Sequence, residues 1–264
     1  MKEILESIVR KEEINLDVIN VNELLQFMLQ NIGNTDAYLR DDLIYQGFCY
    51  LILDEKLTVE QLGGLLKTCL DDEHLYLNIT HNGPSDDVFT RSFSALVIAL
   101  ILGKDSKRRN LPEALILEAI QRSIDYLNLE KDYRGFVHTK GWAHAVAHGS
   151  DLSAQAIAHP LMKDIKLCNN ALQSLKICLH TDYAFIDNEE ARMLAVVDAL
   201  LDKGLTDEQL LAWVKGLYEI EIEGWHRKYR YKWNVKKFET TLLRHLLKTK
   251  KCTLTTNWII FECE

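Results

Sequence analysis

Three histidines, two aspartates, Arg134, Lys140 and Trp142 fall within one short stretch, Asp132 to Asp151, reading D-Y-R-G-F-V-H-T-K-G-W-A-H-A-V-A-H-G-S-D. Gly and Ala fill the gaps, and such small residues let neighbouring backbone approach closely. If a helix runs from Gly141 onward, about 100° per residue puts His144, His148, Asp151 and Gln155 on one stripe, with His159 close to the same line. Two imidazoles one turn apart and a carboxylate three residues on can hold Zn²⁺, Fe²⁺ or Mn²⁺ and leave positions open for water or substrate. His144, His148 and Asp151 are therefore the expected ligands of any divalent metal. The pattern lacks the glutamate of H-E-x-x-H, because Ala145 follows His144, and that argues against a zincin. The plainer alternative has both rings hydrogen-bonded between helices, Asp151 capping a restarted helix, and no metal.

Arg91, Arg134 and Lys140 offer a second chemistry, the holding of an anion. Arg presents a planar fork to carboxylate or phosphate, and Lys140-Gly141 sits where backbone N–H groups at a helix start could join it. Ser94, on the same side of its helix as Arg91, and Trp142, as a stacking surface, complete the expected ligand-binding set. The alternative is that Asp87 and Asp132 neutralise the two arginines, with Trp142 an anchor in the core.

The elements that would position these residues read almost throughout as helix, with apolar residues near a 3.6 period. The expected helices are 2–12, 20–32, 38–54, 58–70, 86–103, 111–127, 141–158, 163–179, 188–203, 206–222 and 235–248. Thr58-Val-Glu-Gln61 and Thr206-Asp-Glu-Gln209 are capping boxes. A twelve-residue phrase recurs, L-I-L-D-E-K-L-T-V-E-Q-L at 51–62 and A-L-L-D-K-G-L-T-D-E-Q-L at 199–210. Each reads as a helix end, a tight turn and a capped helix start. The fold expected is all-α, with antiparallel helical hairpins stacked as a HEAT- or armadillo-like α-solenoid. Helix 86–103 carries its own polar side, Asp87, Thr90, Arg91 and Ser94, with Asp87 and Arg91 spaced for an ion pair. Packed beside helix 141–158, it would share one groove with it.

Two phrases, V-F-T-R-S-F-S-A-L at 88–96 and the 132–152 stretch, resemble an uncharacterised bacterial family, domain of unknown function 2785. The similarity covers most of the chain. The positions matching its motif are Arg91, Arg134, Gly135, Lys140, Gly141, Trp142, His144, His148 and Asp151. The resemblance implies a helical, HEAT-like bacterial protein and carries no activity with it.

Composition sets the remaining bounds. At 264 residues, 47% hydrophobic and 27% charged, with three prolines and no Gly/Ser/Pro linker, the chain reads as a single domain, 1–264. No apolar run approaches the roughly 20 residues that span a bilayer, and the N-terminus lacks a signal-peptide core, so a cytoplasmic protein is expected. The scattered Cys49, Cys69, Cys168, Cys178, Cys252 and Cys263 form no C-x-x-C pair and are expected as free thiols. Net charge is −8, yet Trp225–Lys251 holds ten Lys/Arg and one acid. The acidic remainder argues against general nucleic-acid binding and leaves 225–251 as its one location. There W-H-R-K-Y-R-Y-K-W could grip phosphates and stack bases, but the commoner arrangement sends the aromatics into the core while the bases snorkel. The leading expectation is a binding module whose groove around His144, His148 and Arg91 takes a protein partner or small anionic ligand. Behind it stands a metal-dependent enzyme using His144, His148 and Asp151 on an acidic substrate.

Overall fold

Helical periodicity is what the chain delivers: 68% of the described residues are helical. The computed structural model describes residues 1–12, 14–81, 83–219 and 221–261. Among them are twelve α-helices: α1 Lys2–Val9, α2 Val21–Gln30, α3 Gln46–Leu53, α4 Val59–Leu70, α5 Asp87–Arg108, α6 Glu113–Leu129, α7 Ala145–Ala158, α8 Ile165–Leu179, α9 Glu189–Asp202, α10 Asp207–Gly216, α11 Trp225–Thr249 and α12 Thr253–Phe261. A π-helical segment, Tyr38–Tyr45, runs directly into α3, and two short strands, β1 Phe136–Val137 and β2 Gly141–Trp142, pair antiparallel. No helix among the described residues is long and apolar enough to cross a membrane.

Contacts follow a simple rule. Helix α1 lies against α3, α3 against α5, α5 against α7, α7 against α9, and α9 against α11, while α4 and α8 both lie against α6. Neighbours in space are therefore mostly two places apart in the chain. Helix α7 is the most enclosed, with α5, α6 and α9 all upon it. Its composition explains how: Ala145, Ala147, Gly149, Ser150, Ser153, Ala154 and Ala156 are buried and small. A Cβ on Gly149 would come within 2.5 Å of Leu127 Cδ2 and 2.8 Å of the Tyr126 ring, so glycine is what lets α6 approach. One connected apolar core runs from Leu5 to Ile259. A satellite of Val88, Phe89, Ala143 and Ala145 sits apart from it, with Val137 of β1 packed against it.

Both copies of the recurring phrase fold alike. Thr58 Oγ1 accepts from Gln61 N at 3.2 Å and Gln61 Oε1 from Thr58 N at 3.0 Å, and the Thr206/Gln209 pair repeats this at 3.3 and 2.9 Å. The left-handed residue of the turn is Glu55 in the first and Gly204, one position later, in the second, because α9 runs one residue further than α3.

Several elements depart from expectation, among them helix 206–222, which ends at Gly216, and helix 38–54, which is π-helical over Tyr38–Tyr45. Helix α7 begins at Ala145 rather than Gly141, since Gly141 (φ 78°) and His144 (φ 47°) both take left-handed backbone that a right-handed helix cannot accommodate. Helix α11 begins ten residues sooner than periodicity indicated. Helix α12, in a Thr- and Ile-rich stretch with poor helix propensity, was not expected. Its Thr255 donates N–H and Oγ–H to the Asp207 carboxylate at 3.0 and 2.7 Å, so a tertiary contact overrides propensity. The described cysteines are all free, as expected, and Cys263 lies outside the described residues.

Candidate functional site

The site is built around the hairpin that sequence periodicity did not show. Its turn closes through Lys140 N donating to Val137 O at 3.0 Å, with Thr139 (φ 67°) and Gly141 supplying the reversal. Phe136 pairs with Trp142 across the strands, their rings edge to face at 5.0 Å. Such a pair stabilises a ribbon too short to stand alone.

Beneath the hairpin lies Arg40, wholly buried. Its guanidinium rests over the Phe89 and Phe93 rings, 4.3 and 4.8 Å from their centroids, and forms an ion pair with Asp41 at 2.8 Å. It donates to Asn34 O at 2.6 Å and to Lys140 O at 2.8 Å. Burial pulls the Arg40 pKa down, and Asp41 opposes the fall. A Cβ on Gly141 would meet Ala37 Cβ at 2.7 Å and Arg40 Nη2 at 3.0 Å, so the start of the Tyr38–Tyr45 segment and β2 touch through glycine. In the sequence Arg40 is one charge in a mixed helix, and nothing marks it as buried.

From β2 the chain swings through His144 into α7. The His144 N–H is held by Arg134 O at 3.1 Å, its ring stacks on Trp142 at 4.3 Å and 20°, and its Nε2 lies 3.2 Å from Asp187 O. Trp142 is 39% exposed; it covers the histidine as a stacking ring and does not anchor the core. One turn inward, His148 is buried, edge-on to His144 at 5.7 Å and to Phe93 at 5.3 Å. Its Nδ1 has no hydrogen-bond partner. Burial lowers the pKa of both rings, carrying His148 well below the ordinary value, with His144 and Arg192 adding to the push.

The carboxylates that meet His144 come from the start of α9. One ligand atom each from His144, Asp187 and Glu189 lie within 4.8 Å of one another, the one such group among the described residues. Asp187 accepts from Phe136 N at 3.0 Å and donates its own N–H to Glu189 Oε2 at 2.9 Å. Gly135 makes room, because a Cβ there would come within 2.1 Å of Asp187 Oδ2. Glu189 is 1% exposed, and its Oε1 has no partner. Burial raises its pKa.

The set expected from the sequence is thus rearranged. His144 and His148 remain adjacent, but Asp151 does not join them. It lies seven residues beyond His144, about 10 Å along a helix axis, and Arg192 of α9 takes it, Nε to Oδ1 at 2.8 Å. Asp187 and Glu189 replace it from more than forty residues away, where their only sequence signal was acids at a helix start.

Each of the three expected anion-binding cations already faces a carboxylate. Arg91 grips Glu130 with two hydrogen bonds, at 2.8 and 2.7 Å, and donates to Leu77 O. Arg134 holds Asp132, as the sequence alternative had it, and Ser85 O at 2.7 Å. Lys140 reaches Asp86 at 2.7 Å. The Asp87–Arg91 ion pair does not form: Asp87 takes Asn78 Nδ2 at 3.0 Å, while Glu130, itself buried, is the acceptor a buried guanidinium requires. Ser94 is buried with an unpartnered Oγ. Helices α5 and α7 do pack together, but Arg91 is committed to Glu130 at the end of α6. His159, close to the histidine stripe in the sequence, lies 3.2 Å from Asp105 Oδ2 and accepts from Leu161 N.

A cavity of about 1040 Å³ opens elsewhere, between α2 and α4, with Leu25, Leu29, Gln61, Leu65 and His74 among its walls; His144, Asp187 and Glu189 are not among them.

An all-helical chain with a hairpin laid over a histidine–carboxylate cluster is the class this geometry defines. Residues 75–247, well over half of the chain, match the family described as "Protein of unknown function (DUF2785)", and the chain belongs to that family. This agrees with the resemblance read from the 88–96 and 132–152 phrases. Neither the curated proteins nor the solved structures searched gave a match.

Proposed function

We propose that the chain is a single-domain binding module of the bacterial cytoplasm, its hairpins stacked as a HEAT- or armadillo-like α-solenoid, with its ligand site at His144 beneath the Phe136–Trp142 hairpin. The contacts between helices two places apart support the solenoid reading. The observation that carries the site is Glu189: a buried carboxylate with an unpartnered oxygen, beside His144 and Asp187. Such an oxygen is costly unless a cation or donor meets it. The ligand set of one imidazole and two carboxylates suits Zn²⁺, Fe²⁺ or Mn²⁺. A small anionic molecule would then bind on the metal, with Trp142 alongside, because Arg91, Arg134 and Lys140 already face carboxylates.

A metal-dependent enzyme acting on an acidic substrate is the second reading. It is favoured by the ligand count, since three protein ligands leave positions for water and substrate.

Metal analysis of protein purified without a polyhistidine tag tests both. The expected result is bound divalent metal that is lost in His144→Ala and Glu189→Gln and kept in Asp151→Asn. Protein that takes up no metal from added Zn²⁺ or Mn²⁺ overturns the metal centre, and loss of metal in Asp151→Asn returns it to the helix stripe.

A further inference from the structure

The C-terminal basic stretch shows a surface that its sequence did not. Of the four large aromatics in the first third of α11, only Tyr231 is buried; Trp225, Tyr229 and Trp233 are 71%, 60% and 46% exposed. The expectation that these rings enter the core is therefore wrong for three of them. Helical geometry gives the reason. Tyr231, Asn234, Val235 and Phe238 are buried and occupy the inward side, and positions 225, 229 and 233, spaced one turn apart, fall opposite them. Trp225 and Tyr229 stack on each other, 5.7 Å between centroids at 22°. Lys228, Lys232 and Lys236 run along one flank of this stripe and Arg230 along the other, all exposed.

Two binding chemistries use aromatic rings between bases. A membrane-surface helix adds aliphatic side chains that enter the lipid. Here the outward face has none, and the one aliphatic residue of 225–237, Val235, is buried. Rings without a wedge instead suit flat partners. Nucleobases stack on such rings whatever their identity, while flanking Lys and Arg meet the phosphates. The charge is complementary only locally: ten Lys/Arg against one acid in 225–251, within a chain of net charge −8. That balance restricts a polyanion to this face and makes its attraction sensitive to salt.

We infer that the Trp225–Tyr229–Trp233 face of α11, flanked by Lys228, Lys232 and Arg230, binds single-stranded nucleic acid by base stacking and phosphate contact without sequence preference. This site is separate from the one at His144 and does not rest on it.

The test is fluorescence anisotropy of labelled oligouridine and oligothymidine of about a dozen nucleotides, with the full chain, at about 50 mM and at physiological salt. Single strands are expected to bind at low salt, ahead of a duplex of equal length, with affinity falling steeply as salt rises. Equal binding of the two strands assigns the stacking to bases alone, and preference for uridine adds a contact to the 2′-hydroxyl; both support the inference. Trp225→Ala and Tyr229→Ala, at exposed positions, should each weaken binding about tenfold and leave the melting temperature of the protein unchanged. Reversing Lys228 and Lys232 to Glu should weaken it further and flatten the salt dependence. No binding at low salt, a preference for duplex, or unchanged binding by these variants overturns the inference. Sedimentation with phosphatidylserine vesicles but no binding of oligonucleotide would also overturn it, and would give the face to a membrane.

Discussion

Arg91 and Glu130 meet inside the molecule through two parallel hydrogen bonds, Nε to Oε2 at 2.8 Å and Nη2 to Oε1 at 2.7 Å. Glu130 accepts in addition from the Tyr126 hydroxyl and from the N–H groups of Lys131 and Asp132. The pair ties α5 to the end of α6, where the chain sets out for the hairpin. Removing one member strands the other. Arg91→Ala is expected to destabilise the protein by about 3–5 kcal/mol. A double change to methionine at both positions should recover much of that loss. Urea unfolding of the single and double variants is the measurement, and a mild single variant would place the pair in contact with water.

Acid is expected to destabilise the fold from about neutral pH downward. Burial holds His148 well below its ordinary value of 6.5 and lowers His144 and His159 as well. Below 6.5 the unfolded chain binds protons that the folded chain refuses, so stability is full above that pH and falls as pH drops through it. His148→Leu should flatten this slope. Unfolding curves between about pH 7.5 and pH 5.5, taken with chelator present to separate proton binding from metal loss, decide it.

Glu189 has the opposite sign. Burial raises its pKa, so its charged form at neutral pH costs stability that an amide would not. Glu189→Gln should therefore melt higher than the parent in chelator. Given Zn²⁺ or Mn²⁺, the parent should gain melting temperature and the variant should not. Thermal melts with and without metal give both comparisons, and a parent that gains nothing would leave the buried carboxylate without a cation.

A methyl group at Gly135 should disturb the site without unfolding the protein. Its Cβ would come within 2.7 Å of Asp187 Cγ and 2.8 Å of Asp187 Cβ, and Asp187 is half-buried rather than part of the core. Gly135→Ala is expected to keep its circular dichroism spectrum and lose metal. Gly149→Ala, pressed against Leu127 and Tyr126, should instead lose about 1–3 kcal/mol of stability.

The two capping boxes make matched targets. Thr58→Ala and Thr206→Ala should each cost about 1 kcal/mol, and because α4 packs on α5 and α6 while α10 packs on α12 the double variant should show the sum. Their turns were legible because Thr, Gln and their three-residue spacing act locally. Most helices were legible for the same reason. The hairpin was hidden because two-residue strands show no alternation, and Gly141 and His144 look helical until their backbone is seen. Sequence spacing brought His144 and His148 together correctly, since one helical turn connects them. It could not find Asp187 or Glu189, which reach His144 only through the packing of α7 on α9. Nor could it separate Arg91 from an anion site, because the choice between Asp87 and Glu130 depends on which carboxylate is buried beside it.

The grip of Arg40 on Lys140 O has a bearing on how much of the chain acts as a unit. The segment that matches the family begins at residue 75, whereas the cation holding the hairpin from below is at position 40 and belongs to the preceding part. Excising the matched segment would take away that guanidinium, bare the rings of Phe89 and Phe93, and leave the carbonyls of Lys140 and Trp142 without that donor. The inherited unit and the working unit would then differ, with the first helices serving as a foundation that any shortened version, or any transplant of the site into another protein, would have to bring along.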